Sequence, residues 1–322
     1  MTDRYSRQTV LPEVGADGQA RLGAASVLVI GAGGLGCAVL PYLAAAGVGR
    51  LTIVDHDRVE ESNLHRQPLF RMSDLGREKA LAAREALLAL NPSLAVDARV
   101  ERLTPANARA LIAPGDLVID AADSFAATYV LSDECLSASK PLVSASVLGL
   151  SGYAGAFCAG APSYRAVFPE MPRQAGSCSE AGVLGTAVGT MGLLQAHMTL
   201  GLLLGIEPSP LGRLVTVDFR TLRFGGFSFE RAREPEIVIP FISPGDVADS
   251  DVVVDLRGLD EAPVSPITGA LRLAVDELEQ APEQIPTGPR VVLCCRTGVR
   301  AWRAARALQR LGHSRLALVA FG

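Results

Sequence analysis

The residues best suited to chemistry begin with a glycine-rich turn. Gly31-Ala32-Gly33-Gly34-Leu35-Gly36 follows the apolar run 26–31 and precedes an alanine- and leucine-rich stretch, 37–46. Small residues between a strand and a helix let the backbone approach a phosphate, and the helix N-terminus supplies N–H donors to the anion. By itself this motif fits NAD, FAD or ATP.

A carboxylate and two cations follow the turn. The apolar run 51–55 ends in Asp55, where a carboxylate accepts hydrogen bonds from ribose hydroxyls. Asn63-Leu64-His65-Arg66-Gln67 comes next, and Lys79 opens a helical stretch. A dinucleotide has only two bridging phosphates, whereas two further fixed cations suit the diphosphate leaving group of a triphosphate. The pattern therefore favours ATP.

Asp123 lies just past the apolar run 117–120. One carboxylate there, with water and phosphate oxygens, is enough to hold Mg²⁺. Single charged residues are usually no more than surface charge. It is the position of these charges at strand ends that indicates a site.

The surrounding pattern predicts an α/β fold. Strands are expected at 26–31, 51–55, 117–120 and 141–145, with helices over 37–46 and 79–90 between them. This alternation predicts a Rossmann-like, mainly parallel sheet with helices on both faces. The apolar stretch 181–206 contains Gln195 and His197, so a buried helix is favoured over a membrane span.

The composition changes near residue 234, and prolines punctuate the next segment. Strands at 251–257 and 290–295, a helix over 298–311 and a last apolar strand from 316 predict a second, small α/β domain. We therefore predict domains at 1–234 and 251–322, joined by a linker at 235–250.

The six cysteines show no CxxC pairs, and free thiols in a reducing compartment are expected. Cys178 lies in a glycine-flanked loop ahead of the apolar helix, whose dipole would favour its thiolate. Cys295 begins a short loop between a strand and a helix, where backbone amides can surround one sulfur. Cys294 is expected to face the core, as are Cys37, Cys135 and Cys158, because buried free cysteine behaves as a small hydrophobe.

Several motifs together resemble the ThiF/MoeB/HesA superfamily, which is related to the ubiquitin-activating enzymes. They are Arg4-Tyr5-Ser6-Arg7-Gln8, the glycine-rich turn, Asp55-x-Asp57, Asn63-Leu64-x-Arg66-Gln67, Gly76-x-x-Lys79 and Asp123. The resemblance spans roughly residues 1–230. It implies an adenylyltransferase in which a carboxylate attacks the α-phosphorus of ATP, pyrophosphate leaves, and an acyl-adenylate forms.

The resemblance also implies roles for single residues. Asp55 would bind the ribose, Arg66 and Lys79 the phosphates and Asp123 the magnesium, with Asn63 and Gln67 completing the site. Arg7 would reach into the ATP site of the neighbouring subunit of a homodimer. Cys178, in a Ser-Cys-x-Glu-Ala-Gly segment, would either link covalently to the carrier protein or have only a positional role.

The C-terminal part resembles a short rhodanese-like domain. Cys295-Arg296-Thr297-Gly298-Val299-Arg300 is similar to the rhodanese active loop, and Asp255-Leu256-Arg257 with Thr268-Gly269-Ala270 fits earlier segments of that family. This implies that Cys295 carries a persulfide, held with the help of Arg296 and Arg300, and passes sulfur to the activated carrier. An inactive domain retained for packing is the alternative.

One departure from the superfamily concerns metal. Many relatives hold zinc with two CxxC pairs, but Ser163-Tyr164-Arg165-Ala166 and the stretch 231–239 contain no cysteine. A four-thiolate site cannot be built from them, so no structural zinc is expected.

The implied partner is a ubiquitin-like sulfur carrier ending in Gly-Gly, with a cysteine desulfurase as a possible sulfur donor. The pathway could be the biosynthesis of molybdopterin, thiamine or a related sulfur metabolite. A net charge of −4 argues against general affinity for nucleic acid or anionic membranes. The first residues show no signal peptide pattern, so a cytoplasmic protein is expected.

Three other functions fit part of the pattern. A non-catalytic sulfur-trafficking scaffold would bind a carrier without releasing pyrophosphate. An NAD-dependent oxidoreductase would leave Arg7, Arg66 and Lys79 without a role. An ATP-dependent enzyme with another acceptor, such as a modified nucleoside or a peptide C-terminus, would leave the rhodanese-like part unexplained.

Overall fold

Two sheets organise the chain in the computed structural model, which describes residues 3–172 and 182–322. The large sheet has eight strands in the order β3-β2-β1-β4-β5-β6-β7-β8, and the small sheet has four in the order β10-β9-β11-β12. The strands are β1 Ser26–Ile30, β2 Arg50–Val54, β3 Ala95–Arg99, β4 Leu117–Asp120, β5 Leu142–Leu148, β6 Ser151–Phe157, β7 Arg213–Asp218, β8 Arg223–Ser228, β9 Val252–Asp255, β10 Leu271–Arg272, β11 Val291–Cys295 and β12 Leu316–Ala320.

Ten α-helices and five short 3-10 helices lie in the described residues. The α-helices are α1 Ser6–Thr9, α2 Gly15–Ala24, α3 Gly34–Ala46, α4 Lys79–Leu90, α5 Pro105–Ile112, α6 Phe125–Ser137, α7 Tyr164–Val167, α8 Gly185–Leu204, α9 Val275–Gln280 and α10 Val299–Arg310. The 3-10 helices are Asp3–Tyr5, Glu61–Asn63, Met72–Asp74, Pro244–Asp246 and Pro282–Gln284.

The predicted α/β fold is confirmed, and the large sheet has three further antiparallel strands that the sequence pattern did not indicate. Strands β3, β2, β1, β4 and β5 run parallel, as expected for alternating strands and helices. Strands β6, β7 and β8 then extend the sheet in antiparallel register. The small sheet is parallel throughout, so both sheets have a carboxyl edge where a site can form.

The long apolar helix α8 is a core helix. It is the one described helix long and apolar enough to cross a membrane. It packs against α3 and against strands β5 and β6, with Met191 and Ala196 among its buried residues. This agrees with the expectation of a buried helix over 181–206.

A buried carboxylate joins four elements at the end of β4. Asp120 accepts hydrogen bonds from Thr128 Oγ1 of α6 at 2.7 Å and Ser144 Oγ of β5 at 2.8 Å. Its backbone carbonyl accepts one from Gln195 Nε2 of α8 at 2.7 Å. Burial raises the pKa of the Asp120 carboxyl to about 6, against the opposing effect of these hydroxyl donors. Near neutral pH, ionisation of the buried Asp120 carboxyl therefore costs free energy.

A second polar cluster lies at the two segments 163–166 and 231–239, which contain no cysteine. Ser163 donates from its N and Oγ to the Glu234 carboxylate, at 2.7 and 2.5 Å. Arg165, whose side chain is 4% exposed, makes two hydrogen bonds to Asp133 at 2.6 and 2.8 Å. Its guanidinium also lies 4.6 Å from the centre of the Tyr129 ring. Hydrogen bonds and a charge pair thus tie 163–166 to α6 and to 231–239.

Arg165→Ala should destabilise the fold, because it leaves the Asp133 carboxylate without its partner and removes packing from Tyr129. We expect a loss of about 3 kcal/mol in the free energy of unfolding and a Tm lower by about 6 °C. Arg233→Ala is the matched control, since Arg233 is exposed and has no ion pair in the described residues. Equal Tm values for the two variants in differential scanning calorimetry would contradict the assignment.

Asp120 should give stability a pH dependence of defined sign. Its pKa in the folded protein, about 6, lies above its ordinary value of 3.8, so the native state binds more protons between these values. Its contribution to the free energy of unfolding is therefore greatest below the lower value and falls as pH rises through the higher one.

Asp120→Asn removes this titration. From about pH 4 to about pH 7, we expect the variant to gain about 2 kcal/mol relative to wild type, measured by urea denaturation. Asp249→Asn, at an exposed linker position, should show no such change. A wild-type-minus-variant difference that does not vary with pH would refute the role of Asp120.

Candidate functional site

The glycine-rich turn joins β1 to α3 beside the end of β4. Gly31 has φ +99°, and a Cβ there would lie 2.6 Å from the Ala121 carbonyl oxygen. A Cβ at Gly36 would lie 2.2 Å from the Gly31 carbonyl oxygen. Both positions therefore require glycine, because any side chain would push β1, β4 and α3 apart. Gly33 and Gly34 complete the turn at the N-terminus of α3, where backbone N–H groups favour an anion.

Asp55 shapes the turn at the end of β2. Its carboxylate accepts hydrogen bonds from Ala32 N at 2.7 Å and Asp57 N at 2.8 Å. Burial raises the pKa of this carboxyl, although the two backbone donors and Lys79 oppose the shift. Each carboxylate oxygen retains a lone pair, which is what a ribose hydroxyl requires.

Lys79 brings a nearly buried cation to the same edge. Its Nζ lies 2.9 Å from Asp57 Oδ2, and the two side chains are 6% and 53% exposed. Burial alone would raise the pKa of Asp57, but the hydrogen bond from Lys79 and its charge leave that pKa lowered. One partly exposed carboxylate is a small counter-charge for a buried ammonium, so this position suits an incoming phosphate.

Asn63, Arg66 and Gln67 lie beside the turn. Gln67 donates from Nε2 to Asn63 Oδ1 at 3.0 Å, and its buried Oε1 has no hydrogen-bond partner in the described residues. A Cβ at Gly34 would lie 3.7 Å from Arg66 Cγ, which places the arginine beside the turn. The half-buried Arg66 has one contact with His65 Nε2, at 2.8 Å, and a longer one with Ser62 O. Its guanidinium can therefore turn toward a phosphate.

Asp123 is exposed two residues beyond Ala121, whose carbonyl touches Gly31. Among residues 3–172 and 182–322, no hydrogen bond or ion pair engages its carboxylate. An exposed, uncommitted carboxylate beside a phosphate-binding turn fits the hard oxygen donor that Mg²⁺ prefers. The structure thus brings Gly31, Asp55, Arg66, Lys79 and Asp123 to one carboxyl edge.

Arg7 is not brought to this edge. It is exposed on α1, and the adjacent Gln8 donates to the carbonyl of Ala46, the last residue of α3. The glycine-rich turn lies at the other end of α3, whose 13 residues span about 20 Å. Arg7 therefore lies far from the nucleotide site of its own chain.

Cys178 lies outside the described residues. The other five cysteines are free and buried. Burial raises the pKa of the Cys37, Cys158 and Cys294 thiols to about 12 and also raises that of Cys135. Cys37, Cys135 and Cys158 pack as small apolar side chains, as predicted.

Cys295 has a different environment at the end of β11. Its Sγ accepts N–H bonds from Gly298 at 3.1 Å and Ala301 at 3.4 Å, at the N-terminus of α10. Two backbone amides at the start of this helix thus point at the sulfur. Arg300 instead bonds Leu256 O at 3.1 Å and Glu261 at 2.6 Å. The two amides, rather than the Arg300 guanidinium, therefore contact the Cys295 sulfur.

The structure adds contacts between the two sheets that no local pattern signals. Arg102, after β3, donates to Phe321 O at 3.1 Å and lies 2.8 Å from His56 Nε2. Trp302 Nε1 of α10 donates to Glu170 at 3.3 Å. These pairs join residues far apart in sequence, and charge or aromaticity alone could not have paired them.

Sequence comparison identifies the first part of the chain. The ThiF family profile matches residues 5–237. A sulfur carrier protein adenylyltransferase of Thermus thermophilus is 46% identical over 224 residues, covering 67% of this chain and 83% of its own. The adenylyltransferase and sulfurtransferase MOCS3 of Bos taurus is 45% identical over 241 residues, covering 72% of this chain and 52% of its own.

Another relative and a solved structure extend these findings. A probable adenylyltransferase/sulfurtransferase MoeZ of Mycobacterium tuberculosis is 35% identical over 349 aligned residues, covering 97% of this chain and 89% of its own. The E. coli MccB structure with ATP superposes with a TM-score of 0.62 at 21% identity, covering 71% of this chain and 72% of its own. That likeness concerns the fold. The sequence matches show that the chain belongs to the ThiF family.

Proposed function

We propose that the chain is an ATP-dependent adenylyltransferase that activates the C-terminal glycine of a ubiquitin-like sulfur carrier. The observation that carries this is the convergence of a buried Lys79, Arg66 and Asp123 around a glycine-rich turn. Hydride transfer needs no such set of charges, whereas a departing diphosphate does. The names of the curated relatives point to the same reaction.

Each residue around the glycine-rich turn would have a role that follows from its position. The turn amides and the N-terminus of α3 would face the phosphates, Asp55 the ribose, and Asn63 and Gln67 the remaining polar groups. Lys79 and Arg66 would stabilise the charge that develops on pyrophosphate as the carrier carboxylate attacks the α-phosphorus. Asp123 would hold Mg²⁺, which when bound supplies further stabilisation of phosphate charge.

Arg7 supports a homodimer in this proposal. It lies about 20 Å from the turn of its own chain, at the other end of α3. An exposed guanidinium there can serve a phosphate only in a neighbouring subunit. A second copy of the chain would then complete each nucleotide site.

Residues 251–322 would supply sulfur as a rhodanese-like domain, following the adenylation domain 1–234 and the linker 235–250. A persulfide donor, such as a cysteine desulfurase, would load Cys295. The terminal sulfur would then bond to the carbonyl carbon of the acyl-adenylate as the C–O bond to AMP breaks. An external thiol would attack Cys295 Sγ, forming a disulfide with it and releasing the carrier thiocarboxylate.

The proposed setting is the cytoplasm, in molybdopterin, thiamine or related sulfur-metabolite biosynthesis. Cys178 is proposed to act near the activated carrier, by a covalent link or by position. The free state of the five described cysteines is consistent with a reducing compartment.

Asp123→Ala should lower carrier-dependent ATP–pyrophosphate exchange by at least about 100-fold, because the Mg²⁺ that Asp123 would hold loses its protein ligand. Each Gly-Gly-ending carrier of the source genome would be assayed in turn. Asp249→Ala, which removes an exposed linker carboxylate, is the matched control. An exchange rate of Asp123→Ala within a few-fold of that control would contradict the role assigned to Asp123.

Cys295→Ala should lower thiocarboxylate formation by at least about 100-fold, because no other thiol in residues 3–172 and 182–322 accepts the amide hydrogen bonds of Gly298 and Ala301. Mass spectrometry of the carrier measures the replacement of oxygen by sulfur. Cys294→Ala is the matched control, since Cys294 is equally buried but packs in a different cluster, with Val253, Val292 and Ala317. Equal yields from both variants would assign sulfur transfer elsewhere.

A further inference from the structure

The two candidate sites lie on carboxyl edges that face each other. Arg102 follows the end of β3, and it bonds the carbonyl of Phe321, which follows the end of β12, at 3.1 Å. The same guanidinium lies 2.8 Å from His56 Nε2, next to Asp55 at the end of β2. The nucleotide crevice and the end of the small sheet therefore meet through one arginine.

The sulfur loop lies against the helix that follows Asp123. A Cβ at Gly298 would lie 3.6 Å from Ala126 Cβ, in the first turn of α6. Gly298 N is 3.1 Å from Cys295 Sγ, and Asp123 is three residues before Ala126. With consecutive Cα atoms about 3.8 Å apart, these lengths bound the separation of Asp123 and Cys295 to about 22 Å.

The direction of the thiol agrees with this arrangement. Alternate residues of a strand face opposite sides of a sheet. Leu293 and Cys295 face the core that also contains Ala126 and Tyr129. Cys294 faces the smaller cluster on the other side. The sulfur therefore points toward the large unit of the same chain.

The interface is fixed by packing rather than by a few surface charges. Tyr129 of α6 and Trp302 of α10 have ring centres 6.1 Å apart, inside one continuous apolar core. Ser243 of the linker accepts a hydrogen bond from Ala106 N at the start of α5, at 3.0 Å. The apolar surface buried between the two units keeps the two sites of one chain at a fixed separation.

We infer that Cys295 delivers sulfur to the carrier tail activated at the nucleotide site of its own chain. This rests on the proposed function. An extended tail of about seven residues spans the distance between the two sites, so the carrier can stay bound while its C-terminus moves from the α-phosphate to the sulfur. The chemistry is the persulfide attack and AMP release given above, confined to one subunit.

The inference is tested by placing the two defects on different chains. Asp123→Ala and Cys295→Ala chains with different tags would be co-expressed and purified as a mixed pair. A matched pair of wild-type and Cys295→Ala chains would serve as the control. Both would be loaded with glutathione persulfide, desalted, and given ATP, Mg²⁺, the Gly-Gly carrier and dithiothreitol.

Delivery within one chain predicts at least about tenfold less thiocarboxylate from the mixed pair than from the control pair. In the mixed pair, the chain that forms adenylate has no Cys295. Mixing the separately purified variants should give the same low yield. Thiocarboxylate from the mixed pair at the control level would show delivery between chains and overturn the inference.

Pyrophosphate exchange separates the two proposals. If the mixed pair exchanges but the carrier acquires no sulfur, both the proposed adenylation and the inference are supported. If the control pair shows no carrier-dependent exchange, the proposed function fails and the inference fails with it.

Discussion

The buried carboxylate of Asp120 is the interaction on which the rest of the structure depends. It joins β4 to Ser144 of β5 and to Thr128 of α6, while the carbonyl of the same residue takes a hydrogen bond from Gln195 of α8. Two consequences follow from this one position. The strand end that presents Asp123 is fixed, and so is α6, which carries Ala126 and Tyr129 to the small sheet.

Keeping the Asp120 carboxylate buried costs free energy. Burial raises the pKa of Asp120 to about 6, so an ionised group is kept in a dry place near neutral pH. The neighbouring charge of Asp123 raises the pKa further. A cation bound beside Asp123 would relieve that repulsion and would thereby stabilise this strand end.

Parts of the nucleotide site could be predicted where the residues that form them lie close together in the sequence. The turn 31–36, Asp55 and Lys79 could be placed because a strand, a glycine motif and a helix follow one another closely. The antiparallel strands β6 and β8 were not among the predicted strands, since SGYAGAF and RFGGFS are rich in glycine, which strands disfavour.

Long-range pairs were beyond prediction for a different reason. Ser163 and Glu234 are 71 residues apart, Glu170 and Trp302 are 132 apart, and Arg102 and Phe321 are 219 apart. Nothing in the spacing or type of such residues selects one partner over another. Only the completed topology selects these partners. The same topology makes the two carboxyl edges face each other.

The linker determines how the sulfur site can open. Cys295 is fully buried, and a Cβ at Gly298 would lie 2.7 Å from the ring of Phe241. Phe241 is held to the small sheet, because Leu318 N donates to Pro240 O at 2.9 Å and Ile242 N to Leu318 O at 2.8 Å. Separation of the two units would uncover the Ala126 side of the loop but carry Phe241 along with β12. Separation of the two units would therefore open only the Ala126 side of the loop and leave its Phe241 side closed.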